Sequence, residues 1–159
     1  MKTRTILIAA MIMLFSCSNP PINGKGLSTI GFYSPPRSII SLLESREKGC
    51  HEHFMLGVAY KKDIDDLRES PALDIYDALR KRGARVSYHD PHIPDFIYEG
   101  GRVRSTPLTL ARLRAQDCVV ILANHSAIDY RRVVANAALV VDTRNATRGI
   151  KRARNIVKL

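Results

Sequence analysis

The chain has 159 residues, 45% of them apolar and 25% charged, with a formal net charge of +10; this length accommodates about one domain. Residues 1–53 carry six Lys/Arg against three Asp/Glu and the remainder nineteen against twelve, and every ionic group from Arg144 to Lys158 is a cation. A basic end of this kind suits an anionic partner, either a phosphorylated small molecule or a polyanion, while three cysteines scattered without C-x-x-C spacing argue against a disulfide framework and a structural zinc site.

Residues 1–18, MKTRTILIAAMIMLFSCS, have a basic start, an uncharged apolar run and small residues after it, the outline of an export signal. The run is shorter than the roughly 20 apolar residues of a membrane span. Leu14-Phe15-Ser16-Cys17 loosely follows a bacterial lipoprotein cleavage box, although Phe15 is bulky for it. Residues 19–53, rich in Pro, Gly and Ser (NPPINGKG, YSPPRS), are expected to form an irregular lead or linker. Cys50, His51, Glu52 and His53 are four adjacent ligand types, which cannot all face one ion from a regular element, so a polar linker is the expected reading.

Regularity begins at Phe54. FMLGVAY is a short apolar run, as expected of a strand buried on both faces. Ser70-Pro71 marks a helix start, Ala72, Ile75, Tyr76 and Leu79 follow at helical spacing, and Arg80, Lys81, Arg82 and Gly83 close the helix. Residues 84–88 read as a second strand and HDPHIPD as a loop; a weak strand over 102–104 precedes Thr106-Pro107, which predicts a helix through about Arg114. Residues 118–123 read as a strand with Cys118 in its core, 129–136 as a helix and 138–141 as the last clear strand. This alternation implies an α/β fold over residues 54–159, Rossmann-like and doubly wound, with a mostly parallel sheet covered by helices on both faces.

In such sheets ligands bind outside the carboxyl ends of the strands. Here those ends are Tyr60-Lys61-Lys62, His89-Asp90-Pro91-His92, Asn124-His125-Ser126 and Asp142-Thr143-Arg144. A dinucleotide needs a tight G-x-G-x-x-G turn, but GVAYKKDIDDLRESP is long, charged and has one glycine, read as lying within the strand. No dinucleotide site is therefore expected on this chain, and Asp90 is read as capping the turn at Pro91. The sequence has no G-x-S-x-G elbow, H-E-x-x-H or P-loop, so no catalytic or metal-binding residue is assigned. Lys61 suits a phosphate or sugar hydroxyl as a mobile charge, and Arg144 suits phosphate as a planar fork; the alternative for Lys61 and Lys62 is plain solvation. Asp65, Asp66 and Arg68 suit internal ion pairing of the loop.

LGVAYKKDIDDLRESPALDI, VSYHDPHIP, ILANHSAIDY and LVVDTRNATRGI, in this order, closely resemble the C-terminal domain of the UDP-glucose/GDP-mannose dehydrogenase family, nearest to its UDP-N-acetylglucosamine 6-dehydrogenase type. The resemblance implies a UDP-sugar ligand, contacted by Tyr60 and Lys61 as the family's aromatic-lysine pair and by Arg144 of DTR, with Asp66 and Arg68 supporting the loop. In the full-length family an NAD-dependent oxidation converts the UDP-sugar to a uronic acid for surface polysaccharide. The family's NAD-binding glycine loop, catalytic cysteine and central helix have no counterpart here, and Cys50 lacks the flanking motif. The expectation is a truncated binding domain, inactive alone or completed by a separate NAD-binding chain, with residues 1–53 foreign to the family. A non-functional remnant with exposed apolar faces is the alternative. Nucleic acid is not expected, because no aromatic-rich stacking surface accompanies the charge. The cytoplasm, where UDP-sugars occur, is the expected location, and a membrane is expected only if residues 1–18 act as a lipoprotein signal.

Overall fold

The computed structural model describes residues 52–151 and 153–159. The expected export signal, most of the expected linker with Cys50, and Arg152 lie outside the described residues. In chain order the elements are β1 (Glu52–Leu56), α1 (Pro71–Lys81), β2 (Arg85–His89), β3 (Asp95–Tyr98), β4 (Gly101–Arg104), α2 (Leu110–Arg114), β5 (Cys118–Ile121), α3 (Tyr130–Asn136), β6 (Val140–Asp142) and β7 (Ile156–Lys158). Five strands form one sheet in the order β2-β1-β5-β6-β7, every pairing parallel, and β3 and β4 form a separate antiparallel hairpin.

The period of two along the central strands sorts their side chains to opposite faces. Met55, Cys118 and Val120 pack with Ala72, Ile75, Tyr76 and Leu79 of α1 and with Phe96 of the hairpin. Phe54, Leu56, Val119 and Ile121 pack with Leu113 of α2 and with Val133 and Val134 of α3. The sheet is thus covered on both sides, which is why FML and CVVI are continuously apolar. Full burial of each such side chain contributes roughly 1.5–3 kcal/mol. Helix α1 starts where its sequence directs: the Ser70 hydroxyl accepts from the Ala72 amide at 3.3 Å, Pro71 occupies the first turn, and Gly83 at φ +84° lets the chain leave.

Four local readings change. Strand β1 begins at Glu52, two residues before Phe54, because Glu52 extends the parallel ladder opposite Arg85 and its amide donates to Asp117. It ends at Leu56, since Gly57 turns at φ +77° and a Cβ there would lie 2.6 Å from the Ala123 Cβ. The glycine is therefore a strand-end residue allowing close approach of the chain after β5, not a residue within the strand. Helix α2 starts at Leu110, capped by Thr109. Thr106 is unavailable as a cap because its amide and hydroxyl both donate to the Tyr88 carbonyl at 2.8 Å. Strands β3 and β7 were not foreseen: β3 is four residues beside Pro94, and β7 offers only Ile156-Val157 in a basic stretch. Among the described residues no helix is long and apolar enough to cross a membrane.

Candidate functional site

From β1 the chain winds one way to β2 and then returns past β1 to β5, so the topology reverses between β1 and β5. Beyond the carboxyl ends of these two strands lies the crevice where doubly wound folds bind ligands. The loops after β1, β2 and β5 are tied together there by one buried carboxylate, Asp90. Its Oδ2 accepts from the amides of Val58 at 2.7 Å and Ala59 at 3.0 Å, and its Oδ1 from those of His92 at 2.8 Å and Ile93 at 3.1 Å. Burial pushes its pKa up, but the amides of His92, Ala59 and Val58 outweigh that and hold it below the ordinary 3.8. Asp90 does cap the turn at Pro91, as the sequence suggests, and it also orders the start of the β1 loop.

The fifth donor to Asp90 is His125, which is fully buried and places Nε2 3.1 Å from Oδ2. Its Nδ1 accepts from the Asp63 amide at 3.0 Å. A backbone N–H can only donate, so Nδ1 is the acceptor and Nε2 carries the proton. Asp63, at φ 55°, returns across the gap: its carboxylate accepts from the Ser126 amide at 2.7 Å and the Ser126 hydroxyl at 2.8 Å. These two bonds lower its pKa, the amide bond foremost. Neither Asp63 nor His125 was singled out from the sequence; their mutual bond and the Asp63–Ser126 bonds join positions more than sixty residues apart, and Asp90 lies 35 residues from His125.

The residues selected from sequence stand around this frame. Tyr60 and Lys61 are exposed directly after the Asp90-held amides, and the Lys61 Nζ lies 5.1 Å from the centre of the Tyr60 ring. The Tyr60 amide donates to the Asp66 carbonyl at 2.8 Å, closing the loop. Asp66 accepts from Arg68 Nε, Nη2 and the Arg68 amide, which holds its pKa at about 2. Asp66 and Arg68 are thus joined side chain to side chain and side chain to backbone within the loop. Lys62 lies 3.8 Å from Asp63. Arg144 approaches from the end of β6, its Nε donating to the Leu122 carbonyl at 2.7 Å. Because Leu122 itself is bonded to Leu56, Arg144 is aimed at the β1/β5 junction. Asp142 fixes its backbone: the buried carboxylate accepts from the amides of Arg144, Ala146 and Thr147 and from the Thr147 hydroxyl.

The arrangement offers two exposed cations and an aromatic ring on a rigid edge, which suits an anionic ligand with a planar group. Asp63, His92 and His125 bring metal-ligand atoms within 4.8 Å of one another. Both nitrogens of His125 and both oxygens of Asp63 are engaged within the protein, so the cluster is a clamp between loops rather than an open coordination shell. The residues after β1 do not fit the pyrophosphate of NAD either. The space beside Gly57 is filled by Ala123, and the first turn of α1 lies beyond a 13-residue loop (58–70) with the Ser70 hydroxyl turned back to the Val58 carbonyl.

The model of the UDP-glucose/GDP-mannose dehydrogenase family, UDP binding domain, matches residues 54–149. A UDP-N-acetyl-D-mannosamine dehydrogenase of Methanococcus vannielii is 30% identical over 99 residues, 57% of this chain and 22% of that protein. A UDP-glucose 6-dehydrogenase of Rhizobium meliloti is 32% identical over 102 residues, 59% of this chain and 23% of that protein. Among solved structures, a UDP-glucose dehydrogenase from Pyrobaculum islandicum superposes with a TM-score of 0.57 at 31% identity, covering 77% of this chain and 28% of that one. The chain therefore spans about a quarter of the length of these relatives, and their names carry N-acetylmannosamine or glucose rather than N-acetylglucosamine. With its parallel sheet, its β1/β5 crevice and the matched residues 54–149, this chain belongs to the UDP-glucose/GDP-mannose dehydrogenase family, whose UDP-binding domain it carries.

Proposed function

We propose that residues 54–159 bind the UDP portion of a nucleotide sugar at the carboxyl edge, as the binding domain of an NAD-dependent nucleotide-sugar 6-dehydrogenase that makes UDP-uronic acids for surface polysaccharide. The observation carrying this reading is the pair of exposed cations, Lys61 and Arg144, carried by the loops after β1 and β6 at the carboxyl edge of the sheet. Lys61 supplies a compact point charge for a phosphate oxygen, Arg144 a guanidinium fixed by its bond to Leu122, and Tyr60 a flat apolar surface. Asp66 and Arg68 hold the loop. No catalytic residue is assigned here; NAD and the oxidation belong to a separate domain, in the same protein or in a partner chain. The nucleotide sugar places the domain in the cytoplasm. A remnant with uncovered apolar faces draws no support, since the large hydrophobics exposed among the described residues, Tyr60, Ile97 and Leu159, sit on three separate segments.

Calorimetry of the 159-residue chain with UDP, UDP-glucose, UDP-N-acetylglucosamine and UDP-N-acetylmannosamine tests the assignment. Lys61→Ala and Arg144→Ala are each expected to weaken binding about tenfold, the ~1.4 kcal/mol of one charge-assisted contact. A cooperatively folded sample that binds none of the four ligands, or variants with wild-type affinity, would refute it.

A further inference from the structure

The loop that presents Tyr60 and Lys61 has two anchorages of different kinds. At its base, Val58 and Ala59 are held by the buried Asp90. At its tip, three residues beyond Tyr60, Asp63 takes its hydrogen bonds from across the crevice: its amide goes to His125 and its carboxylate to Ser126, with only the Lys62 ammonium 3.8 Å away from its own stretch of chain. His125 joins the two anchorages, because the same imidazole accepts from Asp63 and donates to Asp90. The loop after β5 is thereby clamped to the loop after β1 across the crevice, with Lys61 between the clamped points.

Resting on the ligand reading above, we infer that His125 and Asp63 are positioning residues for that ligand: the chain Asp90–His125–Asp63–Ser126 sets where Tyr60 and Lys61 stand, without itself touching the nucleotide sugar. The imidazole suits this role because it offers an acceptor and a donor on opposite sides of one rigid ring, and its complete burial leaves no water to substitute for either partner. Asp63 suits it because the left-handed backbone at φ 55°, which Asp and Asn adopt more readily than most residues, turns its amide toward His125 while its carboxylate reaches Ser126. His92 packs against His125, ring centres 5.0 Å apart and planes tilted by 51°, and lies 3.8 Å from Asp63 on another side of the clamp. A lysine on an unclamped loop would keep its charge but lose its place, and a mobile charge contributes far less to binding than one already positioned.

The test pairs Asp63→Gly with Asp63→Asn, because both tolerate the positive φ and only Asn restores bonds to Ser126. His125→Ala is the third variant. Two readouts are taken on the full chain: UDP-glucose affinity by calorimetry, and the rate of tryptic cleavage after Lys61 or Lys62 in the folded protein, with melting temperature recorded alongside. Asp63→Gly and His125→Ala are expected to weaken UDP-glucose at least tenfold and to speed cleavage at least tenfold, and Asp63→Asn to return both to within about threefold of wild type. If His125→Ala fails to fold, the Asp63 pair decides alone, since Asp63 is on the surface. Wild-type affinity and cleavage in Asp63→Gly would overturn the inference, as would an Asn variant no better than Gly. If the wild type binds no UDP-glucose the ligand reading fails, whereas the cleavage rates still show whether the clamp holds the loop.

Discussion

Two buried aspartates stand at the carboxyl ends of two strands of the same sheet, and they organise their loops in opposite ways. Asp142, at the end of β6, takes its donors from Arg144, Ala146 and Thr147, all within five residues. Asp90, just beyond β2, serves His92 and Ile93 locally but also Val58, Ala59 and His125, 31 to 35 residues away in the chain. The first is a self-contained cap that any chain with this local sequence can form. The second exists only when three strands are already side by side, so it reports on the whole sheet. A site built on the second kind of anchor is preorganised by the fold itself, whereas one built on the first depends on a single loop.

Removing each anchor separates the two cases. Asp90→Asn replaces one accepting oxygen by a donor that faces buried N–H groups, and should cost about 3–5 kcal/mol, read as a fall in the urea midpoint. It should also abolish nucleotide-sugar binding through loss of both loops. Gly57→Ala, between the two anchors, meets a positive φ and a 2.6 Å approach to Ala123 together, so a loss of about 2–4 kcal/mol is expected from strain and overpacking. Asp142→Asn should cost less, about 1–3 kcal/mol, and should weaken the ligand only through Arg144. Both buried carboxylates have folded pKa values held below 3.8, by hydrogen bonds that outweigh the upward push of burial. A depressed pKa gives stability that is fully present above the unfolded value and is lost as pH falls through the folded one. Urea midpoints taken from pH 6 down to pH 3 should therefore drop more steeply in wild type than in Asp142→Asn. The smallest effect belongs to Asp66→Ala on the exposed loop: its pairing with Arg68, which holds the carboxyl at about 2, should leave the urea midpoint at pH 7 within error of wild type.

The same division between local and distant partners decides what the sequence disclosed. The Ser70-Pro71 start of α1, its apolar spacing and its Gly83 exit are all signals within one turn of where they act, and the helix lies over Pro71–Lys81. The convergence of the strand ends at one edge followed from the alternation of strands and helices, and the burial of Cys118 from its place in an uninterrupted apolar run. Thr106-Pro107 carried an equally good local signal and was overridden, because the Tyr88 carbonyl claimed both polar groups of Thr106. Lys61 and Arg144 were visible as cations at strand ends. His125 and Asp63 were not, because an imidazole whose two partners lie 35 and 62 residues away leaves no spacing to read. Strand β7 was hidden for a different reason: two apolar residues among cations are too few to establish a period.

The parallel junction of β1 with β5 also governs when the site comes into being. It joins residues such as Glu52 and Asp117, 65 positions apart, the longest closure among the sheet's pairings. Closing so long a segment costs entropy before any contact repays it, so this junction is expected to form late in folding, after β5, β6 and β7 have assembled from nearer neighbours. A nucleotide sugar that needs the finished crevice then has nothing to hold during the search. It should leave the refolding rate unchanged in stopped-flow experiments and slow unfolding in proportion to its occupancy, so that the ligand acts as a latch on the completed fold and not as a guide to it.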